Sequence, residues 1–503
     1  MRVAWYVIIW SEDMTEILLV NPLFLNQDPV ERRLVTPYFP LGLLYLAAVA
    51  RDAGYEVAVF DAMFETSDDA FRAALARHQP RLVGIAALAT VRAAALRLAG
   101  IAKETGAIVV LGGADPTGRP EVYLRGNGHD RVVDVVVAGE GEQTFLDLLG
   151  RLKAEDWRAE TRLDDLPGLA LPDGNAGLRR TGEVRHTTDL DRLPFPARDL
   201  VDVDRYQAAW RAAHGFSSLS VIAGRGCPYG CTWCQKSVFG RSYRMRSAES
   251  VAEEMRQIKE RYNPDQIRVV DDVLGVDRRW LRQWHDALLA LDAVVPFEAL
   301  SRVDLVDEEL IRLLKEAGCR RLAFGAESGS QRVLDAMHKG TKVEQVYRAA
   351  ELCRKYGIET YFYIMLGYPG EEWADIQATI KLLSDTHPSE FSSTVAYPLP
   401  GTEFFEQVKD YLVPAADWEH SAENRLLFRR PFSTRFYHWT QRLLRKEWQA
   451  ARLKHGEWHA NPVQRARLEA SRLTARSAVE VLRRMPGDAE MLPEGPPNLV
   501  GGA

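Results

Sequence analysis

Cysteine is scarce, with five in 503 residues. So few in a chain this long exclude a disulfide-stapled secreted scaffold, and a reducing, cytoplasmic compartment is the expectation. No apolar run reaches the roughly 18 residues that a membrane span needs. Low-complexity tracts and short-period repeats are also lacking. Histidine is absent from the start of the chain, the first being His78. What remains is 46% hydrophobic and 27% charged, an ordinary globular composition with material for about two to four domains. Met1–Trp10 is apolar, but it is too short to span and carries no small-residue cleavage site. The first thirteen residues pattern with no element, and an upstream start codon taken in error is one reading of them.

The net charge of −6 is unevenly spread. Arg425–Arg484 holds fifteen Lys/Arg against four Glu, a net of +11 that leaves −17 on the rest. A basic region on an acidic body offers a surface to an anionic partner or to the body itself. Within it, Leu443, Leu444, Trp448 and Leu453 space out as one apolar side of a helix flanked by basic residues. That pattern fits either the surface of an anionic membrane or packing on the acidic body.

Two series of strands and helices alternate along the chain. The first predicts strands near 17–23, 56–60, 82–87, 108–111 and 133–138 with helical spacing between them. Such alternation implies a doubly wound parallel sheet, with ligands beyond the strand carboxyl ends. Gly112-Gly113 and Gly139-Glu140-Gly141 follow the fourth and fifth strands. Residues 155–215, rich in Pro and Gly, read as a linker with a small hairpin. The second series predicts strands near 218–223, 266–270, 295–300, 321–324, 359–366 and 391–396. Six strand–helix units imply a partial (β/α)6 barrel of TIM type, with its chemistry at the strand C-terminal ends.

Directly after the first strand of the second series stands Gly224-Arg225-Gly226-Cys227-Pro228-Tyr229-Gly230-Cys231-Thr232-Trp233-Cys234. Three thiolates spaced C-x3-C-x2-C on one loop can ligate three irons of a cubane cluster, leaving the fourth open to a chelating small molecule. A structural zinc wants a fourth protein ligand. Cys319 and Cys353 are isolated and read as buried core residues, and the nearest histidine, His214, precedes the strand.

This loop, with an aromatic before its last cysteine, resembles the radical S-adenosylmethionine (radical SAM) enzymes. The resemblance extends over residues 216–405 through Val270-Asp271-Asp272, Ser301-Arg302-Val303-Asp304, Phe324-Gly325-Ala326-Glu327-Ser328-Gly329-Ser330, Met365-Leu366-Gly367-Tyr368-Pro369-Gly370-Glu371 and Tyr397-Pro398-Leu399-Pro400-Gly401-Thr402. It implies a 4Fe-4S cluster on Cys227, Cys231 and Cys234, and SAM as cosubstrate. It places Asp271 or Asp272 near the methionine ammonium and Arg302 on its carboxylate. Glu327 and Ser328 then meet the ribose, Trp233 walls the adenine, and Gly367 also lines the SAM site.

Domain order, with Pro37-Tyr38-Phe39-Pro40-Leu41-Gly42-Leu43-Leu44-Tyr45-Leu46, Leu111-Gly112-Gly113 and Val137-Ala138-Gly139-Glu140-Gly141-Glu142, further resembles the cobalamin-binding branch. Anaerobic porphyrin-ring cyclases and hopanoid-modifying enzymes share this arrangement. The resemblance implies a cobalamin-binding Rossmann-like domain over 1–154, with Leu43, Thr90, Gly112, Gly113, Gly139, Glu140 and Gly141 at the cofactor. The linker at 155–215, the barrel at 216–405, a basic helical region at 406–485 and a disordered tail at 486–503 complete the organisation. Cobalamin mutases carry Asp-x-His-x-x-Gly after strand one, whereas this chain reads Asn21-Pro22-Leu23-Phe24-Leu25. A histidine ligand to cobalt from that loop is therefore not expected.

The implied function is reductive cleavage of SAM to a 5′-deoxyadenosyl radical and modification of an unactivated carbon, with methylation favoured. Cyclisation, oxygenation or rearrangement with the same cofactors is the alternative. A reductant such as flavodoxin or ferredoxin and a small-molecule or lipid-like substrate are the implied partners. Aromatic residues among the tail's arginines also suit nucleic acid, but no recognised binding module accompanies them, and that reading ranks last.

Overall fold

The computed structural model describes residues 15–28, 30–125, 131–158, 160–174, 177–412, 428 and 430–485. Its described residues divide into two compact units. Residues up to Ser217 with Lys236–Gly240 form the first, and Ser218–Gln235 with the described residues from Arg241 onward form the second. The expectations for residues 1–13 and 486–503 lie outside the described residues.

The first unit is built on β1 (Ile17–Asn21), β2 (Val57–Asp61), β3 (Leu82–Ala86), β4 (Ile108–Gly112) and β5 (Val135–Val137). They are parallel, in the order β2-β1-β3-β4-β5. Successive residues of a strand point to opposite faces, and here both faces are covered. Leu18, Val20, Val83, Ile85, Val109 and Leu111 fill one core, while Ile17, Leu19, Leu82, Ile108 and Val110 fill the other. Burial on both sides explains why these strands read as continuous apolar runs. The order in which strands are added reverses at β1, with β2 on one side and β3 on the other, creating between β1 and β3 the crevice where doubly wound sheets receive ligands.

The stretch expected as a linker is largely part of this unit. Its hairpin, β6 (Leu169–Asp173) and β7 (Gly177–Thr181), extends the sheet antiparallel to β5, with Ala170 opposite Val136. The helix Val203–His214 follows, capped by Asp202. It is held by Tyr206 Oη donating to Asp61 (2.6 Å) and Trp210 Nε1 donating to the carbonyl of Pro37 (3.2 Å). Its Pro and Gly punctuate turns, and its apolar residues join the sheet's core, a tertiary choice that composition does not reveal.

The second unit carries six parallel strands, β8 (Ser218–Val221), β11 (Gln266–Val269), β12 (Phe297–Ser301), β13 (Cys319–Glu327), β14 (Glu359–Leu366) and β15 (Glu390–Val395), paired in chain order. Between β8 and β11 lies a two-residue ladder, β9 (Gly224–Arg225) with β10 (Arg244–Met245), which closes the cysteine loop at its base. β13 runs three residues past its expected end and carries a bulge between Gly325 and Glu327.

Two long helices complete the unit. Thr434–Lys454 is capped by Ser433, and Pro462–Leu482 by an Asn461 capping box with proline at its first position. Leu443, Leu444 and Trp448 of the first are buried, and Trp448 Nε1 donates to the carbonyl of Pro388 at 2.8 Å. Arg445 stacks over Phe391. The apolar side read as a possible membrane face is thus spent on the barrel.

Candidate active site

Tertiary contacts aim the cysteine loop from both ends. Ala223 N–H donates to Asp271 Oδ1 at 2.7 Å, and Arg246 N–H donates to the carbonyl of Ala223 at 2.9 Å. Gly224 lets Met245 pack close, since a Cβ there would lie 2.2 Å from Met245 Sδ and force that side chain to shift. Within the loop, Thr232 shares a 2.7 Å hydrogen bond with the Tyr368 hydroxyl and donates its N–H to the carbonyl of Met337. Burial pushes the Tyr368 phenol up to about 12, so it remains a neutral donor. Cys227 and Cys231 are half-buried, Cys234 is exposed, and none of the three is in a disulfide.

Cys319 and Cys353 are both buried, as expected. Burial drives the Cys319 thiol far above its ordinary range and Cys353 up to about 12. Neither is a thiolate near neutrality. Among the described residues, no three His, Cys, Asp or Glu side chains are close enough to hold a single ion. Three thiolates that each bind a different iron of a cubane need no such convergence, so the donor set fits a cluster.

The residues expected around SAM divide into two groups. Glu327, Trp233 and Gly367 stand at the carboxyl ends of the strands or on the cysteine loop. Glu327 follows the β13 bulge with φ +57°, a left-handed conformation rare for a glutamate, which re-aims its side chain. Its carboxylate accepts from Lys339 Nζ at 3.0 Å, and Lys339 also lies 5.2 Å from the Trp233 ring centre. Gly367, at φ +74°, donates its N–H to Glu371, and the Tyr437 ring sits 3.1 Å from where its Cβ would be. Lys339 and Tyr437 escaped the sequence reading. Lys339 lies beyond the motif, and Tyr437 comes from a helix about seventy residues after Gly367 in the chain.

The second group, apart from Asp272, faces inward. Arg302 was expected on a carboxylate of SAM, but its Nε and Nη2 fork already grips Asp304 (2.9 and 3.2 Å). Its Nη2 also donates to the carbonyl of Lys339, and its Nη1 lies 3.8 Å from Cys231 Sγ. The guanidinium stacks 3.6 Å over the Tyr229 ring. Arg302 therefore braces the cysteine loop and brings positive charge beside the Cys231 sulfur. Asp271 is buried on the loop's base, and desolvation pushes its carboxyl up to about 7, whereas Asp272 is exposed. Ser328 is fully buried, its hydroxyl within 3.2 Å of Thr379 Oγ1 and accepting from Ser330 N–H.

At the first unit's ligand edge, the glycines have internal reasons. Gly113 adopts φ +110°, and a Cβ would stand 2.5 Å from the carbonyl oxygen of Ala87. Gly139 has φ +72°, with Val184 2.2 Å from its missing Cβ. Gly112 and Gly141 pack close to Val137 and Leu46. Glu140 is buried and accepts from the Thr187 N–H (2.9 Å) and faces His186 Nδ1 (3.2 Å), tying down a neighbouring strap. Leu43 is core, and Thr90 lies half-buried in a short turn after β3.

Fit to a large flat ligand comes from elsewhere on this edge. Tyr38, after β1, and Leu88, after β3, are 48% and 57% exposed. They stand in the loops bounding the β1/β3 crevice and offer apolar surface where such sheets bind cofactors. At the end of β1, Asn21 Nδ2 donates to Asp61 at 2.8 Å, at the start of the loop where a mutase would carry its histidine.

Comparison with known proteins agrees with this architecture. The Radical SAM superfamily model matches residues 221–383 and the B12 binding domain model residues 31–149. An uncharacterised methyltransferase of Pyrococcus horikoshii is 30% identical over 417 residues, covering 82% of this chain and 84% of that protein. The chain belongs to the cobalamin-binding radical SAM enzymes. Their cofactors, a 4Fe-4S cluster, SAM and cobalamin, are accordingly its own. Cytidylyl-2-hydroxyethylphosphonate methyltransferase of Streptomyces wedmorensis is 26% identical (78% of this chain, 81% of that protein). The anaerobic magnesium-protoporphyrin IX monomethyl ester cyclase of Rubrivivax gelatinosus is 28% identical, covering 74% and 66% respectively. In fold, the cobalamin-dependent radical enzyme OxsB with aqua-cobalamin superposes with a TM-score of 0.67 at 18% identity, covering 93% of this chain and 72% of that one. The methyltransferase TsrM of Kitasatospora setae, with cobalamin and a 4Fe-4S cluster bound, gives 0.65 at 20% identity, covering 79% and 75%. Among the described residues, no helix is long and apolar enough to cross a membrane.

Proposed function

We propose that this enzyme methylates an unactivated carbon of a small or lipid-like molecule, with Cys227, Cys231 and Cys234 holding the cluster. The observation that carries the reading is the pairing of a braced three-cysteine loop with a cobalamin domain whose β1 loop offers no histidine. Methyltransferases among the relatives support it. When bound, the cluster supplies the electron that splits SAM into methionine and a 5′-deoxyadenosyl radical, and cobalamin relays a methyl group from a second SAM. The chain's residues do the holding. Arg302 and Asp271 fix the loop, Lys339 keeps Glu327 aimed at the SAM site, and Trp233 shields its adenine side. Overall, R–H, two SAM and two electrons from an external reductant give R–CH3, S-adenosylhomocysteine, methionine and 5′-deoxyadenosine. Flavodoxin or ferredoxin suits the reductant's role.

The test is anaerobic reconstitution with hydroxocobalamin, followed by iron, sulfide and cobalt quantification and incubation with methyl-deuterated SAM. Deuterated methylcobalamin, then S-adenosylhomocysteine and 5′-deoxyadenosine in equal amounts during turnover, supports methylation. Deoxyadenosine without S-adenosylhomocysteine transfers the assignment to the cyclase-like chemistry of the Rubrivivax relative.

A further inference from the structure

The helix Pro462–Leu482 has two apolar sides. Leu468, Ala475 and Val479 are buried. On the opposite side Val463, Ala470, Leu473 and Val481 recur at helical spacing, and Val463, Leu473 and Val481 are 60%, 62% and 55% exposed. Met485, just past the helix, is 50% exposed. Leu473 and Val481 border a shallow open groove whose far wall is Trp439 of the preceding helix. Arg442 stacks 4.8 Å from that indole. Arg435, Arg442, Arg467 and Arg484 are all exposed on these two helices or at their ends. Ser433–Met485 carries twelve Lys/Arg against four Glu, a net of +8.

We propose that this face is a seat for an anionic lipid surface, with the helix lying in the plane of the headgroups. Charge decides the occupant. A second copy would set +8 against +8, whereas an anionic bilayer is complementary. The centre of the face decides between anionic partners. Nucleic acid rewards a continuous basic stripe, but here exposed Val463, Leu473 and Val481 share one side of the helix, with exposed Arg467 flanking them and exposed Arg442 on the neighbouring helix, as in helices that sit at a bilayer interface. Trp439 matches the same boundary, where an indole finds apolar and wet surroundings together.

The experiment is flotation of the reconstituted full-length enzyme with vesicles of phosphatidylcholine alone or with phosphatidylglycerol added. Binding is expected only with phosphatidylglycerol, weaker at about 0.5 M salt, and weaker by roughly tenfold or more in the Leu473→Ser/Val481→Ser double variant. Arg467→Glu/Arg484→Glu is expected to weaken it as well. These positions are exposed, so far-UV circular dichroism and SAM cleavage should match the parent. No flotation with anionic vesicles at low salt, or flotation indifferent to both double variants, overturns the proposal. A dimer in solution that Leu473→Ser/Val481→Ser converts to monomer reassigns the face to a second copy. Binding to bulk RNA that the same variant abolishes reassigns it to nucleic acid.

Discussion

The ammonium of Lys339 meets the carboxylate of Glu327 at 3.0 Å in the space a side chain at residue 325 would occupy. A Cβ on Gly325 would stand 2.4 Å from Glu327 Oε1 and 2.5 Å from Lys339 Nζ. Three residues thus form one device, a bulge that turns a glutamate, a lysine that neutralises it, and a glycine that makes room.

Removing one partner of a buried pair leaves an uncompensated charge, at a cost of about 3 kcal/mol. Lys339→Met should therefore lower stability in denaturant and raise the KM for SAM. Lys339→Arg should recover part of the KM while keeping the charge. Gly325→Ala should show the same loss through crowding, checked by isothermal binding of SAM to the reconstituted enzyme.

Cys227→Ala, Cys231→Ala and Cys234→Ala should each abolish the broad visible absorption of the cluster and all 5′-deoxyadenosine formation. Cys319→Ala and Cys353→Ala should leave both intact, with stability lowered by about 1 kcal/mol for the lost packing. At pH 8 their buried thiols should resist alkylation in the native chain, as the Cys353 thiol titrates only at about 12.

Glu371 is buried and its carboxyl is pushed up to about 8 by desolvation, with the Gly367 N–H opposing the rise. A group raised in the folded state contributes stability that is fully present below the unfolded value of 4.5 and is lost as pH rises through the folded value. Asp271, raised to about 7, acts in the same direction. The thermal midpoint of the second unit should fall as pH rises from about 5 to 8. Glu371→Gln keeps an acceptor for Gly367 but cannot ionise, and should flatten that slope.

Gly113→Ala and Gly139→Ala should destabilise the first unit by about 1–3 kcal/mol, because both positions lie at positive φ against close neighbours. Any cobalamin lost in these variants should track unfolding. Leu88→Ser and Tyr38→Ser should instead weaken cobalamin retention with stability unchanged, as measured by bound cobalt against the melting curve.

Much of the fold was legible because burial on both sheet faces writes itself as apolar strands at regular intervals. The C-x3-C-x2-C pattern was legible because it is local, within one loop of Cys227–Cys234. The contacts of Arg302 and Ser328 were not. An arginine next to an aspartate two residues on can face a ligand or its neighbour, and only folding decided that Asp304 holds it. The stretch at 155–215 hid its membership of the first sheet for a related reason. Turn residues advertise where a chain bends, and pairing Val136 with Ala170 depends on partners far apart in sequence.

By itself, then, the sequence determined what depends on near neighbours, namely the alternation of strands and helices, the cluster loop, the missing histidine after β1 and the basic character of the C-terminal region. Tertiary structure decided what depends on distant chain segments meeting. It brought Lys339 to Glu327 and Tyr437 to Gly367. It buried Leu443, Leu444 and Trp448 and left Leu473 and Val481 in solvent, since a helix with two apolar sides can bury only the one that finds a partner.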